Sequence, residues 1–176
     1  IYVVMAVFSA AALVTNNKMC SIFSAAMAPT GALMAFLALF SGSFWGRPTW
    51  GTHWVWDARL TSELILLFLY LGFLALQSAI ADHRRADKAC AVIAIVGVVN
   101  VPIIYFSVKW WNTLHQGASI TSKGSSIAPI MLYTLLLMVV AFWIYSFAST
   151  FVRARSMILE RERRQTWVQA LVKEGK

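Results

Sequence analysis

The chain has 176 residues, 60% of them hydrophobic and only 12% charged, with a formal net charge of +8. A soluble domain of this size needs more charge to cover its surface, so the excess apolar residues must face lipid. The basic residues sit between apolar runs and in the C-terminal tail rather than on one continuous face, which excludes a nucleic-acid binder. Cys20 and Cys90 belong to no CxxC or CxxCH pattern, which excludes a thiol oxidoreductase and a c-type cytochrome and leaves them as small apolar residues.

In chain order, Ile1 to Val14 is an apolar run that spans only about 21 Å as a helix, against a hydrocarbon core of about 30 Å. No basic region precedes it, so it does not read as a signal peptide. It reads as the back part of a spanning helix whose front lies before residue 1. A polar turn, TNNKMCS from Thr15, leads to a second run from about Ile22 to Phe44, with Pro29 and Gly31 near its start. A loop from Trp45 to Thr61 follows. The third run, Ser62 to Ile80, closes at Asp82-His83-Arg84-Arg85, and the fourth, Ala89 to Val108, contains Asn100 and Pro102. A second loop, 108–126, precedes the last run, from about Ile127 to Phe151. The tail, 152–176, is basic and partly helical, with Trp167 and Leu171 at the membrane surface. The expected architecture is therefore an all-α, polytopic transmembrane bundle of four full spans and one partial one.

Lysine and arginine set the orientation. Lys18, Arg84, Arg85, Lys88 and seven cations from Arg153 to Lys176 fall on one side, and Arg47, Arg59, Lys109 and Lys123 on the other. Eleven against four puts the tail in the cytoplasm and both Trp-bearing loops on the outer face.

Those loops carry the chemistry. Trp45, Trp50, Trp54 and Trp56 fall within twelve positions, interleaved with Gly46, Pro48 and Gly51, and Trp110 and Trp111 sit on the second loop. An aromatic belt places one or two rings at a helix end; four in one loop build a stacking surface. Arg47 and Arg59 are candidates to clamp carboxylates, since guanidinium forks match them bidentately. Asp57 reads either as a partner for one of these arginines or as a cap of the next helix, and Thr61-Ser62-Glu63 also reads as helix-start chemistry. His83 is a solvated loop residue on the cytoplasmic side. His53 and His115 lie in the outer loops, and His115 sits beside paired tryptophans. An axial imidazole, stacking faces and cations are what a flat anionic metallo-macrocycle needs. No HExxH or close His/Cys cluster is present, so a zinc hydrolase is excluded.

WGTHWVWDARLTSE, Trp50 to Glu63, closely resembles the Trp-rich "WWD" motif of the haem-handling proteins of cytochrome c biogenesis. It is most similar to the haem exporter protein C (CcmC) family. AMAPTGA, SFWGRPTWG and VVNVPIIYFSVKWWNTLHQG extend the resemblance from about Ala25 to the tail. It implies six spanning helices in the bacterial inner membrane (or the mitochondrial one), with haem b bound at the periplasmic face. It also implies hand-over to a periplasmic haem chaperone, beside ABC-transporter subunits and a small single-span accessory membrane protein. His115 matches the later of two axial histidines; the earlier one is expected upstream of residue 1. His53 occupies a slot that is usually aromatic, as a stacking substitute or an alternative imidazole. Trp50, Trp54 and Trp56 are then the platform, with Trp110 and Trp111 opposite, Arg47 and Arg59 the propionate partners, and Asp57 a loop anchor or chaperone contact. The chain carries no nucleophile placed for classical catalysis, so it reads as a transfer protein rather than an enzyme. The other reading is a scaffold or transport subunit of an export complex, binding no haem, whose Trp loop docks a partner protein.

Overall fold

A computed structural model describes residues 1–111, 113–117, 119–121 and 124–174; Lys123 and Lys176, two of the cations used for orientation, lie outside them. Among the described residues the helices are, in order, α1 (Tyr2–Thr15), α2 (Lys18–Trp50), α3 (Ala58–Ala79), α4 (His83–Gly97), α5 (Asn100–Trp110), α6 (Pro129–Arg161) and α7 (Thr166–Glu174). A two-stranded ribbon, β1 (Ile120–Thr121) and β2 (Gly124–Ser125), sits between α5 and α6, with Ile120 opposite Ser125. Among the described residues, four helical rods are long and apolar enough to cross a membrane: α2, α3, α4 with α5, and α6. The expected all-α polytopic protein with four full spans is therefore what forms. α1, at 14 residues, is the short apolar helix.

Local chemistry explains the boundaries. Asn16 takes the left-handed conformation (φ 52) that ends α1, which asparagine tolerates better than most residues. The Asn17 side chain accepts from the Met19 amide at 2.9 Å and starts α2. α2 then runs past Phe44 to Trp50, so Trp45 to Trp50 are helical where a loop was expected. Pro48 cannot donate to the Phe44 carbonyl, yet the helix continues to Gly51, whose amide bonds the Arg47 carbonyl at 2.9 Å and whose φ of 78 stops it. The first loop thus narrows to residues 51–57. The fourth rod breaks between α4 and α5 because Pro102 would clash with the Val98 carbonyl. Here tighter bonds take over, Val98 to Ile95, Val99 to Val96 and Val101 to Val98. Pro102 then falls in the first turn of α5, where a missing donor costs little. Asn100, beside the break, donates to the Ser62 carbonyl of α3 at 2.8 Å. α6 continues beyond Phe151 to Arg161, about 50 Å in all, so its last turns leave the hydrocarbon.

Lipid tails are as apolar as leucine, so helices in a membrane associate by close van der Waals fit between small residues. The core shared by α1, α2, α3 and α4 follows this rule: Ala25, Ala28, Ala32, Ala35 and Ala94 surround Met5, Tyr70 and Phe73. Gly31 of α2 has no Cβ, and the Tyr70 ring occupies that place. Ser9 and Ser24 bond across α1 and α2 at 2.7 Å. α6 stands apart, touching α2 through Ala154 against Ile22 and Ala26 and through Arg153, which donates to Thr30. None of its most apolar stretch is buried within the molecule. Its far end is tied to α4 by a bidentate pair, Arg161 to Asp87, with both N···O distances 2.9 Å. Both cysteines are free.

Two outcomes follow for stability. Gly31→Ala must displace Tyr70 and should cost about 1–3 kcal/mol, read as a lowered Tm of the detergent-solubilised protein. Arg161→Ala leaves the half-buried Asp87 carboxylate unpaired and should cost about 2 kcal/mol. The swapped pair Asp87→Arg with Arg161→Asp should recover most of that loss in the same thermal melt.

Candidate haem-binding site

The site grows from the first residue of α3. Asp57 is the N-cap, in extended conformation, and its Oδ1 accepts from the Leu60 amide at 2.7 Å. That bond satisfies one of the donors a helix start leaves free. Its Oδ2 lies 2.7 Å from Nδ1 of His115, which comes from the loop after α5. The cap also settles which of its two sequence readings Asp57 takes: no ion pair to Arg47 or Arg59 is formed among the described residues. Asp57 is nearly buried, with a side chain 6% exposed, and His115 is 19% exposed.

A carboxylate accepts and does not donate, so the proton between the two groups resides on Nδ1. In the neutral ring Nε2 then keeps its lone pair, the arrangement in which histidine ligates a metal. The imidazole is held from the side as well. Trp50, at the end of α2, meets it edge to face with ring centroids 4.6 Å apart, and Trp45 meets Trp50 in the same way at 5.4 Å. Trp50 reaches this position over Gly46. A Cβ there would lie 3.1 Å from the Trp50 ring and 3.3 Å from the Thr52 carbonyl oxygen.

Beside His115 opens a cleft of about 390 Å³ lined by Trp45, Arg59, Tyr105, Val108, Lys109, Gln116, Gly117 and Ser119. Arg59 and Lys109 make no salt bridge among the described residues. The Lys109 ammonium lies 5.9 Å from the Tyr105 ring centroid and 5.8 Å from that of Phe106. The cleft thus combines an imidazole with an available nitrogen, two cations and two aromatic faces. That donor set fits a planar dianionic macrocycle with a metal at its centre.

The residues singled out from sequence are not all brought together. Asp57, Arg59, His115 and Trp50 converge. Trp54 and Trp56 pack against each other, centroids 5.4 Å apart. Trp54 Nε1 is the one buried side-chain donor left without a partner among the described residues. Trp56 is 75% exposed. Trp110 stacks on Phe106 at 5.2 Å and meets Trp111 at 5.9 Å; both rings are exposed and neither lines the cleft. Arg47 lies in the last turn of α2 and does not line it either. His53 meets Phe44 edge to face at 5.9 Å, with Nδ1 3.4 Å from the Ser43 carbonyl oxygen, and does not line the cleft. Sequence reading counted Trp45 in the stacking surface without giving it a place in the site, and missed Tyr105 and Lys109 as cleft residues. For the last two a signal existed, since residues four apart on a helix share a face.

The family model described as heme exporter protein C, CcmC, matches residues 1–169. The chain is 50% identical over 172 residues to heme exporter protein C of Escherichia coli strain K12, which covers 98% of this chain and 69% of that protein. It is 51% identical to heme exporter protein C of Haemophilus influenzae, covering 97% of this chain and 70% of that one. It is 43% identical over 159 residues to a putative cytochrome c biosynthesis ccmC-like mitochondrial protein of Marchantia polymorpha, covering 90% of this chain and 67% of the relative. The membrane-spanning architecture and the match along nearly the whole chain agree: this protein belongs to the heme exporter protein C (CcmC) family.

Proposed function

We propose that this membrane protein serves haem export for cytochrome c maturation by holding haem, as cargo, in the cleft beside His115 and passing it to a periplasmic haem chaperone. The observation that carries this reading is the Asp57–His115 pair, which leaves Nε2 available next to two cations and a set of aromatic faces. In this reading His115 supplies one axial nitrogen and Trp50 fixes the plane of its ring. Arg59 and Lys109 take the propionates, Lys109 joining or replacing Arg47 in that role. Tyr105 and Trp45 flank the macrocycle. Haem supplies the ring and iron; the chain supplies position, charge and an apolar wall.

Asp57 acts as a positioning residue. Its carboxylate fixes the histidine tautomer and the orientation of the ring, as carboxylates behind metal-bound histidines do. Because the same carboxylate caps α3, the ring is referenced to the rigid start of a spanning helix rather than to a mobile loop. The excess of cations at the α6–α7 end supports an outward-facing cleft. The haem type, b, the second axial histidine, the ABC-transporter subunits and the small single-span partner belong to the same proposal and rest on family likeness.

A docking reading is favoured by one observation, the exposure of Trp56, Trp110 and Trp111. Exposed rings at a loop surface are interface anchors, and here they fit the side from which a chaperone would approach. As a scaffold without haem, however, the protein would have no use for an Asp-anchored imidazole.

The absorption spectrum of the purified full-length protein, expressed with haem in excess, tests the proposal. A Soret band is expected, lost or strongly reduced in His115→Ala. A band indifferent to that change would move the iron ligand away from His115, and no band in the wild type would leave only the docking scaffold. Asp57→Asn keeps a good helix cap while removing the charge behind the imidazole. It should weaken haem binding about 10- to 100-fold in a haem titration, with little change in Tm.

A further inference from the structure

At the opposite end of the molecule, α7 lines an open groove of about 830 Å³ together with α2 and α6. Its bed is apolar: Phe23 of α2, Phe151 and Ile158 of α6, and Val168 of α7, the last of these buried. Arg155 and Arg163 line it, and neither makes an ion pair among the described residues, in contrast to Arg161, which Asp87 holds. Glu160 is the acid in the lining; Glu162 is engaged by the Trp167 indole N–H at 3.0 Å.

The position of these groups along α6 is informative. Phe151, Arg155, Ile158 and Leu159 follow the spacing of one helix face. The exposed Phe151 and Val152 end the apolar stretch, and Arg155 comes one turn, about 5 Å, further out. The groove therefore runs from hydrocarbon depth to headgroup depth. Trp167, at its rim, is of the residue type that settles at that boundary. An apolar bed with two free guanidiniums at its outer end matches an acyl chain joined to a phosphate.

We propose that this groove is a binding site for an anionic phospholipid of the adjoining leaflet, with its acyl chain along Phe23, Phe151 and Ile158 and its phosphate between Arg155 and Arg163. α7 then lies in the interface as an amphipathic clamp. The site is remote from the His115 cleft, and its test does not depend on haem.

Native mass spectrometry of the full chain, released from detergent supplied with dioleoyl phosphatidylglycerol or dioleoyl phosphatidylcholine, reads the preference directly. Phosphatidylglycerol adducts are expected in excess. The double variant Arg155→Gln with Arg163→Gln should reduce that excess on the order of tenfold, since each arginine near the surface attracts anionic lipid severalfold. The control Arg84→Gln with Arg85→Gln, at exposed cations of α4, should leave the excess in place. Equal retention of the two lipids would overturn the site. So would an excess that survives the double variant, or a self-associated species broken by that variant, which would assign the groove to a second copy of the chain.

Discussion

Both oxygens of the Asp57 carboxylate are committed, one to the amide that opens α3 and the other to the imidazole of His115. Two elements far apart in the chain are thereby tied at one point, fifty-eight residues from each other along the sequence. A buried carboxylate is tolerated only when its lone pairs are answered, and here the helix start and the histidine answer them together. The tautomer of His115, the direction of Nε2 and the position of the loop after α5 all descend from that pair. Trp50 adds the lateral restraint, and it can do so because Gly46 leaves room beneath it.

The bundle beneath supplies rigidity by membrane rules. Its helices meet through alanine, serine and glycine, so the backbone of α2 is held close to α1 and α3. The Asn100 bond to the Ser62 carbonyl fastens the broken fourth rod to α3, and α5 therefore delivers Tyr105 and Lys109 to the same end of α3 that carries Asp57 and Arg59. α6 obeys a different constraint. It is anchored at one end by Ala154, Arg153 and the Arg161–Asp87 pair, while none of its most apolar stretch is buried among the described residues. A helix fixed at its foot and bare above it offers a surface to lipid or to other membrane subunits, consistent with a family named for export.

Much of this was legible in the amino-acid sequence, and for physical reasons. Spanning runs declare themselves because every lipid-facing position must be apolar, so the four long rods were readable before any coordinates. Their ends were less so. The Trp45–Trp50 segment carries Gly46 and Pro48 and reads as loop, yet both are tolerated within a helix that ends only at Gly51. The Pro102 break comes three to four residues before the proline, at Val98 and Val99, where the clash with the Val98 carbonyl falls. Asp57 and His115 were each legible as candidates, the aspartate from its place before an apolar helix and the histidine from its tryptophan neighbours and family likeness. Their direct bond was not, because nothing in local sequence records a contact between distant loops. Lys109 was counted for orientation alone; its place in the cleft depends on the rotation of α5 after the break. Trp110 and Trp111, expected opposite the platform, instead are exposed: the Trp110 ring stacks on Phe106 of its own helix, and Trp111, the extended C-cap of α5, meets Trp110.

Chemical rescue of the ligand position tests the central claim most directly. In His115→Gly the imidazole is removed while the Asp57 carboxylate and the cleft walls remain. The absorption spectrum of that variant, purified with haem in excess, should lack the wild-type Soret band and regain it when free imidazole is added. Asp57→Ala in the same background should weaken the rescue, because the carboxylate that orients the incoming ring is gone. A His115→Gly protein that holds haem unchanged, or one that imidazole leaves empty while the wild type is loaded, would contradict the placement of the iron ligand at residue 115.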